Sequence, residues 1–509
     1  MRHTWLLLTL VAAGCASVGP DFERPDVPVN PQWLDAELAS FDTGPAELAE
    51  WWSLLGDPVL DELIATARRE NNTIKIAGLR VIEAQANLNI AIGNQYPQQQ
   101  VLAGSAQRVG VSENDANTNT TDTTYTQYDL GARLSWEIDF WGRFRRGVEA
   151  ADAAMLASIA SYDEVMLLVT AQVANIYSLI RATEEQLALA INSRDIQKRS
   201  YDIVDLLYRE GSSSQLDALQ AKTLLLGTEA VIPGLEANLR QLKNAMSVLL
   251  GTVPHDIDNI LKKSTGPPKI PERVIVGVPA NLLRQRPDVR RAELQALAQN
   301  ALVGVAESGL YPSFSLTGSI GVSSSDGTST TSSGDDGVEQ LFSTDSLAYS
   351  VGPQFVWPFL NYGRIRNNVR VQDARLQQAL ISYRETVIQS VRDAEDAMAA
   401  FAAAQRTDKL LREGVDTAKR SVDLSMLRYQ EGFADYQRVL DAQQALFTQQ
   451  QRYATNLGEV LLSFVSIYRS LGGGWQSAVN AGFVDDETRE EMTERTNWGE
   501  ILDNPPTTR

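Results

Sequence analysis

The sequence predicts a mainly α-helical chain that also carries a membrane β-barrel portion, and three observations predict it. Landmark residues recur at a fixed offset, so the chain is written twice. The longest stretches between landmarks keep apolar residues at helical spacing for far longer than a compact domain allows. Two short stretches in each copy alternate apolar with polar residues. Each copy therefore reads helix, two strands, long helix, helix.

The duplication rests on four pairs of landmarks. Tyr96-Pro97 returns as Tyr311-Pro312, and Trp136-x5-Gly142-Arg143-x-Arg145 returns as Trp357-x5-Gly363-Arg364-x-Arg366. Tyr208-x-Glu210-Gly211 returns as Tyr429-x-Glu431-Gly432, and Leu250-Gly251 as Leu471-Gly472. The last three pairs share an offset of 221 residues and the first has 215, as a longer loop between the second pair of strands would give. Repeat 1 is placed at residues 58–251 and repeat 2 at 279–474. A Pro-rich linker, 252–278 (Pro254, Pro267, Pro268, Pro271), joins them, and an acidic tail, 475–509, read as a solvated periplasmic segment, follows.

In repeat 1 the spacing predicts helices over about 58–94, 147–210 and 213–250. In the long one, Val148, Ala151, Met155, Ile159, Tyr162, Met166, Val169, Val173, Ile176 and Ile180 step by threes and fours, an apolar stripe close to coiled-coil period. Ala150, Ala153, Ala157, Ala171, Ser178 and Ala182 add a second flank of small residues, so the helix is expected to pack on two sides, as in a wall of helices. At ~1.5 Å per residue it is ~95 Å long. Repeat 2 repeats the pattern over about 281–309, 367–431 and 434–471. Pro233 and Gly234 are expected to kink the last helix of repeat 1.

The strands are expected at about 97–109, 126–141, 312–323 and 347–360. Tyr128, Leu130, Ala132, Leu134, Trp136, Ile138 and Phe140 alternate with Asp129, Gly131, Arg133, Ser135, Glu137 and Asp139. A greasy face backed by charges suits lipid on one side and a wet lumen on the other. Trp136, Phe140, Trp141, Trp357 and Phe359 cluster at one strand end as an interfacial aromatic girdle would. Four strands close no barrel, and an open edge in lipid leaves backbone groups unpaired at several kcal/mol each. Several copies must share one barrel. The Ser-, Thr-, Asn- and Gly-rich stretches Gly110–Thr124 and Ser323–Ser346 read as exposed loops.

Composition excludes most chemistry. Of 509 residues 43% are hydrophobic, with 45 basic against 64 acidic side chains, a net charge of -19 that argues against nucleic-acid binding. One cysteine and two histidines, His3 and His255, leave no disulfide framework, His cluster or Ser-His-Asp triad. No paired-carboxylate motif or phosphate-cradling loop is present, so no catalytic residue, metal or cofactor is expected. Seven scattered methionines offer no soft-metal relay. No run of about 20 apolar residues marks a transmembrane helix.

Residues 1–14 read as an export signal: Arg2 and His3, then Trp5 to Val11, then Ala12-Ala13-Gly14 before Cys15. This resembles a lipoprotein signal, and the resemblance implies that Cys15 is acylated and becomes the new N-terminus. Residues 15–57 follow as an extended segment. Ala16 after the cysteine implies, by the same resemblance, transfer to the outer membrane.

Across nearly the whole chain the sequence resembles an outer-membrane efflux channel of the TolC/OprM type, in its NodT-like lipoprotein branch. The residues that carry the likeness are Gly19-Pro20-Asp21-Phe22, Trp51-Trp52, Asp57-Pro58, Phe140-Trp141-Gly142-Arg143 and Ile232-Pro233-x-Leu235-Glu236. To these add Val278-Pro279-Ala280-x-Leu282-Leu283-x-x-Arg286-Pro287-Asp288-Val289 and Leu471-Gly472-Gly473-Gly474-Trp475. The resemblance implies a homotrimer with a shared twelve-stranded barrel and a helical tunnel in the periplasm, docked by a periplasmic adaptor and an inner-membrane pump, most often of the RND type. It implies adaptor-contact tips at Tyr208, Arg209, Gly211, Tyr429, Glu431 and Gly432. It places a pore gate at Asp441, with Gln437 one turn earlier. Arg438 stands where some members carry a second acid, within salt-bridge spacing of Asp441. Two other readings differ in kind. A passive porin would write all its strands in one chain, and a coiled-coil stalk would leave the alternating strands unexplained.

Overall fold

The computed structural model describes residues 17–35, 37–38, 40–42, 44, 47–112, 114, 123–255, 257–264, 266–277, 284–327, 337–476, 482–504 and 506. The export signal, Cys15 and the segment Val278 to Leu283 lie outside them. Residue contacts divide the chain into two compact units. The first takes in residues up to Arg24, Glu83–Leu156 and Glu293–Ile381, and the second Pro25–Ile82, Ala157–Ala292 and the chain from Ser382 on.

The first unit holds one sheet of four strands, β1 (Gln99–Gly110), β2 (Thr124–Ile138), β3 (Ser313–Ser325) and β4 (Leu347–Val356), in the order β1-β2-β3-β4. Every neighbour is antiparallel, and the β2–β3 pair joins the two copies. Register fixes the faces. Leu102, Ala132, Ile320 and Tyr349 share one cross-strand row, and Gly104, Leu130, Val322 and Leu347 another on the same face. The opposite face carries Ser105, Asp129 and Ser323 in one row and Val101, Arg133, Ser319 and Ser350 in another. Between those polar rows, Gly131 faces Gly321 so closely that a Cβ on Gly321 would fall 2.8 Å from the Gly131 Cα, a spacing only glycine tolerates. Two strands stop short of the alternation. β2 ends at Ile138 because the Asp139 carboxylate turns to accept the backbone N–H groups of Phe144 and Arg145 at 3.2 and 2.9 Å, opening the next helix. β4 ends at Val356, two residues before Pro358, and tolerates Pro353 as an edge strand can.

The helices are α1 (Pro58–Glu70), α2 (Asn72–Gly93), α3 (Arg143–Arg209), α4 (Gln215–Glu229), α5 (Ile232–Leu249), α6 (Pro287–Ser308), α7 (Arg364–Gln430) and α8 (Tyr436–Ser470). Two helices expected as single pieces are each broken. Asn71 adopts an extended conformation between α1 and α2. Its side-chain oxygen caps the N–H groups of Thr73 and Ile74, while its amide donates to the Leu249 carbonyl at 2.9 Å. The second break falls at Ala230–Val231, so Pro233 lies in the first turn of α5, where its missing N–H costs nothing.

The two 67-residue helices, α3 and α7, are each about 100 Å long at 1.5 Å per residue. The small-residue flank of α3 is buried at Ala150, Ala153, Ala157, Ala171, Ser178 and Ala182, and the apolar stripe at Met155, Ile159, Tyr162, Met166, Val169, Val173 and Ile180, with Val148, Ala151 and Ile176 half-buried. One 18-residue window of α3 is apolar enough to pass for a membrane span, but 67% of it is buried inside the protein, the mark of a packed helix.

In the second unit, the residues that carried the family likeness sit on structural joints. Asp57 caps α1, accepting from Val59 N–H at 3.0 Å, and its other oxygen accepts from Tyr177 and Ser264. Arg181 donates to the Tyr177 hydroxyl and to the carbonyls of Leu261 and Ser264, pinning the linker to α3. Trp51 stacks on Tyr468 with ring centroids 5.4 Å apart. Arg286 reaches the carbonyls of Ser390 and Ser470, tying the N-terminal end of α6 to α7 and α8. In the acidic tail, expected as a solvated segment, residues 482–504 are folded. Asp485 caps a helix, α9 (Asp486–Arg495), and Val484, Met492 and Leu502 close a small core with Ile82. Apolar residues spaced among the acids do this, and only their partners on α2 reveal it.

Candidate functional site: the polar wall, the hairpin tips and the Asp441 stripe

The expected girdle is built from two matched joints in the first unit. Trp136 donates its indole N–H to the carbonyl of Gln95 at 3.2 Å, and Trp357 donates to that of Leu310 at 3.1 Å. Trp141 donates to Pro312 at 2.8 Å and stacks on Tyr311 with centroids 4.6 Å apart, while Phe140 meets Phe314 at 5.4 Å. Trp136, Phe140 and Trp141 are thus half-buried, holding the strand ends to the helix ends. Trp357 and Phe359 remain exposed, at 51% and 69%. Tyr362, 99% exposed with a positive φ of 49°, extends the cluster.

The N-terminal segment is tied to the same unit. Val18 donates to the Trp141 carbonyl at 3.1 Å, and Arg146 bonds Val18, Asp21 and Glu149. Cys15 itself is outside the described residues, but the segment that follows it runs to the strand–helix junction.

In the second unit the two hairpin tips lie together. α3 and α7 both end on a glycine with positive φ, 76° at Gly211 and 77° at Gly432. Ser212 N–H returns to the Leu207 carbonyl and Phe433 N–H to that of Arg428, both at 2.8 Å, so both caps are Schellman motifs. A Ser214–Asp217 capping box starts α4. Val204, Ala218, Ala221, Tyr436, Val439 and Leu440 form one core beneath the tips. Burial pushes the Tyr436 phenol up to about 12, and its hydroxyl pairs with that of Ser200 at 2.8 Å.

Of the expected contact residues, Gly211, Gly432, Glu431 and Arg209 are exposed, with Arg209 paired to Asp205 at 2.6 Å. Tyr208 is 39% exposed. Tyr429 packs inward against Tyr436 with centroids 5.1 Å apart, because its position on α7 faces that core. Sequence reasoning missed Phe433, 72% exposed on the turn. An aromatic directly after the capping glycine, with no helix face to join, was the available signal.

Of the residues expected at a gate, Gln437 and Asp441 share one face of α8, and Arg438 is not on it. Gln437, Asp441, Gln444 and Thr448 are all exposed, and all line a groove of about 750 Å³ between α4 and α8, opposite Leu216, Leu219 and Leu224. Gln437 donates to Asp441 at 2.8 Å. Asp441 therefore takes its hydrogen bond from Gln437, and among the described residues Arg438 makes no ion pair with it, although the spacing permits one. Gln444 and Thr448, one and two turns further on, are members of the stripe that the sequence did not single out. Among the described residues no group of His, Cys, Asp and Glu side chains is placed to hold a metal.

Comparison with known proteins reads the same architecture. The family profile described as outer membrane efflux protein matches residues 63–252 and again 278–473. The chain belongs to this family. The two matches are the two copies of the repeat. Relatives span the full length: the probable outer membrane lipoprotein SilC of Salmonella typhimurium is 28% identical over 475 residues, 91% of this chain and 97% of that protein. Outer membrane protein OprJ of Pseudomonas aeruginosa is 28% identical, over 92% of this chain and 95% of its own. Among solved structures, the outer-membrane channel OprN superposes with a TM-score of 0.82 at 28% identity, covering 90% of this chain and 99% of the other. CusC, described for its transmembrane channel formation, does so with 0.75 at 26%, covering 90% and 100%. As a family member the chain is an outer-membrane protein and the exit duct of an efflux system.

Proposed function

We propose that three copies close one twelve-stranded barrel and conduct small molecules passively, with the energy supplied by a partner pump. The observation that carries this reading is the four-stranded sheet with two free edges, β1 and β4, and an apolar face exposed on its own chain. Because the strand number is even, β1 of one copy meets β4 of the next antiparallel, and closure satisfies every edge. The exposed apolar residues of α7, among them Val371, Ile381 and Ile388, give a second surface that a neighbouring copy would cover.

In this reading Cys15 carries the lipid anchor beside the barrel, and Trp357, Phe359 and Tyr362 sit at the membrane boundary with the half-buried Trp136, Phe140 and Trp141. The tips at Tyr208, Arg209, Gly211, Glu431, Gly432 and Phe433 receive a periplasmic adaptor, which connects to an inner-membrane pump of the RND type. Tyr429 supports the tip from within. Asp441, Gln437 and Gln444 form the narrow ring, and Arg438 stands beside it. A water-filled bore with a polar wall selects weakly, so cargo is chosen by the pump; the relatives' names accordingly range over solvent, toluene and cation efflux. Native mass spectrometry of the detergent-solubilised protein tests the assembly. Three copies with acyl mass on each are expected, and a stable monomer would refute the shared barrel.

A further inference from the structure

The polar face of the sheet carries a charge pattern of its own. Register places Asp129, Arg133 and Glu137 on that face of β2, and the residues paired with them on β1, β3 and β4 are uncharged: Ser105, Val101, Ser323, Ser319, Ser315, Ser350 and Gln354. The acids are partnered. Asp129 accepts from Ser105 and Gln127, and Glu137 pairs with Arg143 at 3.3 Å. Arg133 is exposed, and among the described residues it has no ion pair or side-chain hydrogen bond. Its nearest acids on the strand are four residues away in each direction, about 13 Å at 3.3 Å per residue. The only other cation of the four strands, Arg108, has the opposite parity, near the strand end, where it bonds Thr126. In a chain of net charge -19, one unneutralised cation thus stands on the polar face of the sheet.

We propose that Arg133 sets the charge preference of the outer part of the duct. Resting on the shared-barrel reading, the inference is that the copies present a ring of guanidinium groups at one level, backed by the Ser319 and Ser350 hydroxyls. The ring attracts anionic groups on departing molecules (carboxylates, phosphates and sulfonates) and repels cations. The pattern is the reverse in sign of the acidic ring proposed at Asp441. The Ala103, Gly131, Gly321 and Ala348 row next to it removes side-chain bulk, leaving the guanidinium groups free to reach into water.

The test reads the local potential directly and does not require an open gate. Ser319→Cys places a thiol in the Arg133 row, and the sole native cysteine, Cys15, is blocked when acylated. Whole cells are treated with two membrane-impermeant thiol reagents, an anionic sulfonatoethyl and a cationic trimethylammonium-ethyl methanethiosulfonate, and the rate ratio is measured with Arg133 present and in Arg133→Gln. Screened Coulomb interaction at side-chain distances gives an expected fall of roughly threefold in that ratio at about 0.1 M salt, vanishing at about 1 M. Arg133→Lys should keep the ratio. An unchanged ratio in Arg133→Gln, with the thiol reactive, would overturn the proposal alone. A thiol at 319 that never reacts, beside a monomeric mass, would overturn the shared barrel and the proposal with it.

Discussion

Replacing Asp57 by alanine removes three hydrogen bonds where α1, α3 and the linker meet. The residue is 4% exposed, caps the Val59 N–H at 3.0 Å, and accepts from the Tyr177 hydroxyl at 2.5 Å and the Ser264 hydroxyl at 3.1 Å. Loss of an N-cap costs about 1 kcal/mol. Tyr177 is fully buried, so its hydroxyl would keep Arg181 as donor but lose its acceptor, at about 1–3 kcal/mol. Ser264 is only half-buried and can turn to water. The expected destabilisation is about 2–4 kcal/mol, read as a shift in urea unfolding followed by circular dichroism of the solubilised channel. Asp57→Asn keeps the cap oxygen and should fall between wild type and alanine. A double-mutant cycle with Tyr177→Phe should show coupling above about 0.5 kcal/mol. Unaltered stability in Asp57→Ala, or strict additivity in the cycle, would refute the view that this carboxylate joins the helix wall to the linker.

Other predictions follow from buried charge, the gate and the tip. Asp163 is buried on α3 with Arg290 3.8 Å away, too far for a hydrogen bond, and burial pushes its carboxyl up to about 7. The folded state then holds a proton that the unfolded state has released. Stability should fall as pH rises from about 4 through about 7, and Asp163→Asn should flatten that slope and stabilise the protein near pH 8. Asp441→Ala should raise single-channel conductance in planar bilayers, since it removes both the charge and the Gln437 contact; unchanged current would remove the gate assignment. Gly432→Ile should weaken adaptor capture while sparing membrane insertion. A Cβ there meets nothing within 4 Å, so the cost is confined to about 1–2 kcal/mol of left-handed backbone strain at the turn, and normal cross-linking to the adaptor would count against the contact.

Periodicity alone determined the elements of this protein. A period of two wrote the strands with their polar and apolar faces, a period near 3.6 wrote α3 and α7, and the 221-residue offset paired Gly211 with Gly432 and Gly251 with Gly472 as helix stops. These are local or self-similar signals, carried by residues a few positions apart or by a copied segment. The break at Asn71 was not legible, because Asn71 is held by a carbonyl 178 residues away and apolar spacing runs across the joint, whereas the break at Ala230–Val231 falls just ahead of the Pro233 that announced a kink. Tyr429 against Tyr436 and the tail core around Met492 were decided the same way, by partners on other elements, and Gln437 rather than Arg438 on Asp441 by which side chains share a face of α8. The isolation of Arg133 needed strand register as well, since only cross-strand pairing says which charges share a face and which of them are already satisfied.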